Sequence, residues 1–339
     1  MTRALTFAIA IAGALSFLIL GLPLPFLLGP MSACLLAALF GARMTGAGQF
    51  GFFMRTFLGV AVGASITPEL IHHLPDIAIS LMFVPLFIAS IATVGYPLLR
   101  FVFKFNPVTA WYSAMPGGLQ DMLIFGEEAG GDPRALSLIH ATRVVVLVSI
   151  APVMIAMTYG LDLSAPPGAP IASLPISQIV IMALAGLIGW KLAKRVGLFG
   201  ASILGPMILT TILSLTGVVQ TRRPAEIIQA AQFFIGIAVG VKYVGITRLE
   251  VRSNITAGLV YSAVMALVSL VFFKIIVTLE LAPSLDALMA FLPGGQAEMV
   301  VIAIIAGADL AYVVTHHVLR ILTVVLLAPV VARVLNMRK

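Results

Sequence analysis

The sequence contains very little charge for its length. Asp, Glu, Lys and Arg make up 10% of the 339 residues, whereas hydrophobic residues make up 61% and the mean hydropathy is +1.13. A soluble domain carries about a quarter charged residues, so this chain cannot cover a globular surface with polar side chains. The composition therefore excludes a soluble protein and predicts one that is embedded in a lipid bilayer.

Cysteine, histidine and the common catalytic motifs are also scarce. The single cysteine, Cys34, excludes an intrachain disulfide framework, and five histidines with one cysteine are a poor basis for a catalytic metal centre. There is no Gly-Lys-Ser/Thr phosphate-binding loop and no Gly-x-Ser-x-Gly nucleophile motif. We expect no catalytic residues, no bound metal and no cofactor, and hence a protein that is not an enzyme.

The net charge of +7 comes from basic residues that are scattered over short connections. That distribution is typical of cytoplasmic loop ends beside anionic lipid, not of a surface that binds nucleic acid. We therefore expect the lipid bilayer as a partner and no direct contact with nucleic acid.

Long apolar runs occupy most of the chain, and many approach the ~20 residues that a helix needs to cross the hydrocarbon core. Six of them precede a Pro-, Ser- and Ala-rich stretch at 164–175, and six more follow it. The first run has no clean small-x-small cleavage site after it, which predicts a transmembrane helix instead of a signal peptide. The apolar stretches lie near 4–20, 24–42, 50–66, 77–99, 107–125 and 135–158, and then near 176–193, 198–218, 231–247, 255–279, 287–306 and 310–334.

The chain is an internal duplication. The segment from Ala114 to Met122 contains Pro-Gly-Gly followed by an aspartate, and the segment from Phe291 to Met299 contains Pro-Gly-Gly followed by a glutamate. The two segments align in sequence when Gly117 is paired with Gly294. We call the difference between these two residue numbers the repeat offset. Without any gap, it also pairs Gly59 with Gly236, Asp132 with Asp309, His140 with His317 and Arg143 with Arg320. We interpret 1–163 as a first membrane repeat, 164–175 as a linker and 176–339 as a second repeat.

Loop charges predict that the two repeats are inverted, because Lys and Arg concentrate on the cytoplasmic side. Three of the four connections that we compared differ in charge between the halves. After the third apolar stretch, Glu69 and Asp76 correspond to Lys242, Arg248 and Arg252, and after the fourth, Arg100 and Lys104 correspond to Glu280 and Asp286. After the first, an uncharged connection near Leu22 corresponds to one with Lys191, Lys194 and Arg195. The second connection does not differ, since Arg43 is paired with Arg222 and Arg223. Inversion requires an odd number of crossings, so we predict an all-α membrane protein with about five transmembrane helices plus one re-entrant or broken Pro-Gly-Gly segment in each repeat, and both termini in the cytoplasm.

The two Pro-Gly-Gly segments, Pro116–Gly118 and Pro293–Gly295, are the candidate binding site. Proline removes a hydrogen-bond donor and glycine lets the backbone turn, so Pro116, Gly117 and Gly118, with Pro293, Gly294 and Gly295, predict a helix break in each half. In secondary transporters, paired breaks place half-helix ends near the membrane midplane, where they bind substrate and coupling ion. The alternative is that Pro116 and Pro293 only kink ordinary helices.

Ionisable residues follow each break. Asp121 and Glu298 are candidates for binding Na+ or a proton, or are wetted residues with a structural role. Arg143 and Arg320 can bind a substrate carboxylate, or form internal ion pairs with those acidic residues. His140 and His317, three positions before the arginines on one helix face, can carry protons or bind a carbonyl. Asp132 and Asp309 precede apolar runs and are expected to be N-caps.

Several of these motifs resemble one known family, the AbrB family of bacterial inner-membrane proteins, once labelled ammonia monooxygenases. The resemblance spans nearly the whole chain, with the family domain duplicated in both halves. It implies a polytopic protein of the bacterial inner membrane, distantly similar to the cation–proton antiporter and anion transporter superfamily. The segments that carry the resemblance are Leu28–Met31, Ala114–Gly118, His140–Arg143, Phe291–Gly295 and His317–Arg320.

The leading hypothesis is a secondary transporter that moves a small organic anion, a carboxylate, with H+ or Na+ coupling by alternating access. A second hypothesis, which the family's regulator label suggests, is a membrane-embedded regulator of gene expression that acts through a partner. A membrane monooxygenase is the third and has the least support, because no metal ligands stand out. Analogy with related folds implies a homodimer.

Overall fold

The computed structural model describes residues 2–64, 74–163, 170–198, 201–220 and 225–335. Every regular element within these ranges is helical, which confirms the all-α prediction. The helices of the first half are α1 (Thr2–Ile19), α2 (Pro25–Leu39), α3 (Gln49–Gly63), α4 (Leu74–Pro97), α5 (Pro107–Ala114), α6 (Leu119–Glu128) and α7 (Pro133–Tyr159). Those of the second half are α8 (Ile176–Arg195), α9 (Ala201–Leu215), α10 (Ala225–Gly240), α11 (Thr256–Thr278), α12 (Ser284–Phe291), α13 (Gln296–Ala306) and α14 (Leu310–Val334).

Shorter helical turns accompany these helices. A π-helical turn, Leu98–Val102, extends α4, and a single turn, Arg248–Glu250, leads through a second π-helical turn, Val251–Ile255, into α11. The linker expected at 164–175 is described only from 170, where it contains a 3-10 turn at Ile171–Ser173. Glu69, Arg222 and Arg223, which entered the comparison of loop charges, lie outside the described residues.

Seven helical segments in the described ranges are long and apolar enough to cross a membrane. Two further apolar helices, α2 and α9, have 15 residues each, which corresponds to about 22 Å against a hydrocarbon core of about 30 Å. The protein is therefore a multi-pass helical membrane protein, while ten crossings and the inverted arrangement of the repeats remain predictions. The seven segments are Thr2–Ile19, Ile77–Val102, Pro133–Tyr159, Ile176–Arg195, Ala225–Tyr243, Arg248–Thr278 and Leu310–Val334.

The first Pro-Gly-Gly segment interrupts the helix, as predicted. Helix α5 ends at Ala114, and Met115 is extended (ψ 131°) because a residue that precedes proline avoids the helical region. Gly118 is also extended (ψ 139°), and α6 begins directly after it. Four residues, Met115–Gly118, therefore separate two half-helices, and we refer to them as the first break.

The second Pro-Gly-Gly segment has the same effect. Helix α12 ends at Phe291, Leu292 is extended (ψ 117°), and α13 begins at Gln296. Leu292–Gly295 form the second break. Because four consecutive residues leave the helix at each site, the alternative of a simple proline kink is wrong at both positions.

The described structure forms two compact units, each of which takes segments from both halves of the sequence. Unit 1 comprises Met1–Leu74, Pro152–Val244 and Ala297–Ala311, and unit 2 comprises Pro75–Ala151, Gly245–Gln296 and Tyr312–Lys339. Both breaks belong to unit 2. The compact units thus do not coincide with the repeats proposed at 1–163 and 176–339.

Unit 1 is built on close contacts between helices of opposite halves, because α3 packs on α9 and α10 packs on α2. A Cβ atom placed on Gly59 would lie 2.2 Å from the carbonyl oxygen of Ile203, and one on Gly236 would lie 2.5 Å from that of Leu27. No side chain fits at such distances. These glycines therefore let the paired helices pack closely.

Unit 2 has an aromatic core beside the second break. The rings of Phe87, Phe272 and Phe291 meet with centroid separations of 5.3 to 5.9 Å, within the range preferred by aromatic pairs. Phe291 is the last residue of α12, so this cluster holds the end of the half-helix that leads into the second break.

Candidate functional site

The first break is held by two side chains of α7, His140 and Arg143, which we call the first clamp. His140 Nε2 donates to the carbonyl oxygen of Tyr112 at 3.0 Å. Arg143 donates from Nη1 to the carbonyl of Met115 at 3.2 Å and from Nη2 to that of Gly117 at 2.9 Å. Both side chains are buried. The clamp therefore binds the backbone from the last turn of α5 into the break.

The second break is held in the same way by a second clamp, His317 and Arg320 of α14. His317 Nε2 donates to the carbonyl of Met289 at 3.0 Å. Arg320 donates to the carbonyls of Leu292 at 3.3 Å and Gly294 at 3.2 Å. The repeat offset carries every donor and acceptor of the first clamp onto its counterpart in the second. The duplication seen in the sequence is thus repeated, bond for bond, in the hydrogen bonding of the breaks.

The clamps have a clear physical cause. The last four carbonyls of a helix have no intrahelical partner, and a buried carbonyl without a partner costs about 1 to 3 kcal/mol. The C-terminal end of a helix also carries partial negative charge, which a nearby cation stabilises. A guanidinium group with two parallel donors meets both requirements, and it lets the breaks exist inside a protein core.

This geometry resolves part of what the sequence left open. The histidines bind carbonyls, which was one of the two alternatives for His140 and His317. The sequence did not predict that the arginines bind backbone carbonyls. Every residue has a backbone carbonyl, so no particular side chain in the sequence indicates such a partner. A usable signal did exist: in both halves the His-x-x-Arg motif follows its Pro-Gly-Gly at the same distance.

Further side chains support the first break from other helices of unit 2. The hydroxyl of Tyr261, on α11, donates to the carbonyl of Ala114, the last residue of α5. Trp111 Nε1 donates to the carbonyl of Ala328 on α14 at 3.0 Å. A Cβ atom on Gly117 would meet Val324 of α14 at 3.0 Å. Helix α14 therefore carries the clamp of the second break and also packs against the first.

The two arginines place positive charge in the interior of unit 2. Arg143 and Arg320 are 1% and 2% exposed. Nη1 and Nη2 of Arg320 bind neutral carbonyls, and its Nε has no hydrogen-bond partner within the described ranges. These bonds stabilise the guanidinium but do not neutralise its charge.

The candidate carboxylates lie at equivalent positions after the breaks. Asp121 is the third residue of α6 in unit 2 and is half-buried, and Glu298 is the third residue of α13 in unit 1 and is 7% exposed. A carboxylate in the first turn of a helix is favoured by the free N–H groups there. This position suits a structural carboxylate as well as one that binds a cation.

The expected N-caps are confirmed. Asp132 Oδ1 accepts hydrogen bonds from the backbone N–H groups of Arg134 at 2.9 Å and Ala135 at 3.2 Å. Asp309 Oδ1 accepts one from the N–H of Ala311 at 2.9 Å. These aspartates start the helices that carry the clamps, and they do not belong to the candidate site.

The described residues offer little for metal chemistry. No group of three or more His, Cys, Asp or Glu side chains within the described ranges is arranged to hold a metal ion. The ionisable groups of the clamps are instead bonded to backbone carbonyls.

The helices of membrane-spanning length define a polytopic membrane protein. Two of them, α7 and α14, each bind one of the two breaks, as an internal duplication predicts. The chain belongs to the AbrB family: the family model described as "Transition state regulatory protein AbrB" matches residues 26–336. This confirms the resemblance found in the sequence.

Two relatives match over nearly their whole length. The chain is 26% identical to "Uncharacterized protein YhjN" of Bacillus subtilis (strain 168), over 97% of this chain and 92% of that protein. It is 25% identical to a protein of Escherichia coli (strain K12) whose name proposes it as the regulator AbrB, over 95% of this chain and 93% of that protein. Neither name is that of an enzyme. No solved structure matches the chain at a significant level.

Proposed function

We propose that the protein is a secondary transporter that moves a small organic anion by alternating access, driven by H+ or Na+. The observation that supports the proposal is the repeated construction of the breaks: two breaks in unit 2, each bound by a buried arginine and histidine at the same register. Broken helices at membrane depth are built where backbone groups serve a cavity or a solute. A kink without such a role would need no matched pair of clamps.

Charge supports an anionic substrate. A buried guanidinium group is costly unless an anion compensates its charge, and the carbonyls that bind Arg320 carry no net charge. The first N–H groups of α6 and α13 also have no intrahelical carbonyl to bind, and such helix starts favour anions. The proposed substrate-binding residues are therefore Pro116, Gly117, Gly118 and Arg143 in the first half and Pro293, Gly294, Gly295 and Arg320 in the second.

Coupling is proposed at the ionisable residues near the breaks. Asp121 and Glu298 each offer a carboxylate one turn after a break, suited to Na+ or a proton. The sequence also made His140 and His317 coupling candidates, but their Nε2–carbonyl bonds favour neutral rings with a structural role. A protein of this kind needs no cofactor or metal and is not an enzyme.

The proposed topology places two inverted repeats of five crossings in the bacterial inner membrane, with both termini in the cytoplasm and two copies forming a homodimer. The change of loop charge between the halves supports the inversion. Single cysteines introduced at Arg100 and Glu280, in a Cys34→Ala background, should react with impermeant reagents from opposite sides of the membrane. Labelling of both from the same side would contradict the inversion.

The test of transport is uptake into proteoliposomes. Purified protein is reconstituted, and labelled mono-, di- and tricarboxylates are offered under an inward proton or sodium gradient. We expect one class of carboxylate to accumulate, and the double variant Asp121→Asn with Glu298→Gln to abolish gradient-driven uptake while remaining folded. The matched control is Glu128→Gln, which changes an exposed carboxylate on α6. Full uptake by the double variant would overturn the coupling assignment.

A regulator is the second candidate, because the family description and the name of the E. coli relative both refer to regulation. In that case a transporter-like body would sense a metabolite and act on gene expression through a cytoplasmic partner. Recovery of one specific partner from membranes, together with no carboxylate flux in the proteoliposomes, would favour the regulator. Bound copper or iron in the purified protein would instead revive the monooxygenase hypothesis.

A further inference from the structure

His316 lies in a hydrogen-bond arrangement that neither clamp histidine has. It is buried on α14 in unit 2, directly before His317 in sequence. Its Nδ1 is 2.8 Å from the carbonyl oxygen of Tyr312, and its Nε2 is 3.0 Å from the hydroxyl oxygen of Ser80 on α4. The repeat offset pairs His316 with Ile139, so no histidine stands at the equivalent position of the first half.

Ser80 gives the site two complete hydrogen-bond patterns. Its hydroxyl oxygen is 2.8 Å from the carbonyl of Ile77 as well as 3.0 Å from His316, and a hydroxyl has one hydrogen to donate and two lone pairs to accept with. With a neutral ring, His316 donates from Nδ1 to Tyr312, and Ser80 donates to Nε2. With a protonated ring, Nε2 donates to Ser80, and Ser80 turns its hydrogen to Ile77.

The clamp histidines cannot accept a second proton in this way. A carbonyl oxygen only accepts, so Nε2 of His140 and of His317 carries the hydrogen and Nδ1 carries a lone pair. Neither Nδ1 has a hydrogen-bond partner within the described ranges. A second proton would leave a buried N–H unsatisfied, one helical turn from Arg143 or Arg320. The clamp geometry favours neutral rings with a structural role.

The surroundings of His316 connect it to the second break. Its ring contacts Phe291, the residue before that break, with centroids 5.6 Å apart, and it packs on the ring of Tyr312 at 4.1 Å. On its own helix, the charged or titratable residues within one turn are Tyr312, His317 and Arg320. The contacts described from α4 and α12 are the neutral groups Ser80 and Phe291.

We propose that His316 is a proton-binding site, with the Ser80 hydroxyl as the switch that serves both protonation states. The site deepens the proposed transport function, on which its role in coupling rests, and it makes the coupling ion H+. Arg320 follows His316 by one helical turn, and like charges at that spacing repel, so an anion at the second break would favour a proton on His316. By linkage, proton binding would then raise the affinity for the anion by the same factor, as in a proton–anion symporter.

The direct test is nitrogen-15 magnetic resonance of histidine-labelled protein in lipid bilayers, which distinguishes neutral from protonated rings. The spectrum of His316→Gln identifies the signal of His316. We expect this signal to change from a neutral ring with hydrogen on Nδ1 to imidazolium as the pH is lowered from about 8 to about 3, while His140 and His317 remain neutral with hydrogen on Nε2. A His316 ring that is neutral throughout this range would overturn the proposal.

Variants of Ser80 separate the switch from a passive contact. At a pH where the wild-type ring is half protonated, Ser80→Ala should lower the ratio of imidazolium to neutral ring about tenfold, because the acceptor for the Nε2 hydrogen is gone. Ser80→Thr retains the hydroxyl and should restore the ratio. The matched control is Ser90→Ala, which removes an exposed hydroxyl from the same helix. An unchanged ratio in Ser80→Ala would contradict the switch.

Proteoliposomes that contain a pH-sensitive dye distinguish failure of the site from failure of transport. An external carboxylate should acidify the vesicle interior with wild-type protein, and His316→Gln should abolish acidification. Carboxylate uptake without proton entry would overturn coupling at His316 but leave the transporter intact. A titrating His316 with no flux of any carboxylate would confirm the proton site and overturn the transport function.

Discussion

Arg320 donates a hydrogen bond to the carbonyl oxygen of Gly294, which lies inside the second break. The equivalent bond joins Arg143 to Gly117. Each arginine therefore stabilises the backbone of its break. A substrate that bound there would share the guanidinium group with the carbonyls to which it already donates.

The first prediction concerns the two hydrogen bonds from Arg320 to backbone carbonyls. Arg320→Lys should lower the free energy of unfolding by about 2 to 4 kcal/mol, because an ammonium group cannot reach two separate carbonyls in the manner of a planar guanidinium. Unfolding in mixed detergent micelles, followed by circular dichroism, measures the loss. Arg252→Lys, at an exposed arginine of unit 2, is the control. Wild-type stability in Arg320→Lys would show that the clamp contributes little to the fold.

The second prediction separates the two ring nitrogens of His317. Glutamine places its amide nitrogen where Nε2 lies, whereas asparagine places it near Nδ1. His317→Gln should keep the bond to Met289, and His317→Asn should be less stable than the glutamine variant by about 1 to 3 kcal/mol. The same order is expected for variants of His140. Equal stability of the two variants would contradict the assignment of the hydrogen to Nε2.

The third prediction tests the glycine contact between α3 and α9. A Cβ atom on Gly59 would lie 2.2 Å from a backbone carbonyl, so Gly59→Ala should destabilise unit 1 by about 1 to 3 kcal/mol through overpacking. Gly51, on the same helix, has no such contact, since its nearest neighbour would be the Cβ of Ala47 at 3.5 Å. Gly51→Ala should therefore be neutral or stabilising. Thermal unfolding in detergent compares the two, and an equal effect would refute close packing at Gly59.

The fourth prediction concerns the start of α7. Asp132→Ala should cost about 1 kcal/mol of stability, because the N–H groups of Arg134 and Ala135 lose their acceptor. Asp132→Asn retains an acceptor oxygen and should stay close to the wild type; thermal unfolding in detergent compares the three proteins. If transport were lost in both variants while stability was unchanged, Asp132 would belong to the site after all.

The breaks and the helices around them could be predicted because their signals are local. Proline and glycine act on their own backbone, and apolar stretches report a membrane without any partner being known. The repeat offset then related the two halves without a structure. The carboxylate caps Asp132 and Asp309 followed from position alone.

Partners distant in sequence could not be predicted in the same way. The bond between Ser80 and His316 joins residues 236 positions apart, and its counterpart is absent from the other half, so the repeat gives no hint of it. Adjacent residues on a helix, such as His316 and His317, do not share a face. In the structure the two histidines do have separate partners: His316 lies against Ser80, and His317 donates to the carbonyl of Met289.

The exchange of packing partners between the halves has a consequence for biosynthesis. At about 5 to 20 residues per second, the roughly 200 residues between Leu27 and Gly236 take on the order of 10 to 40 s to be added. For that time the surface of α2 that later receives α10 faces lipid or the insertion machinery. The first half therefore enters the membrane before the surfaces that complete it exist, and assembly finishes only when the second half has arrived.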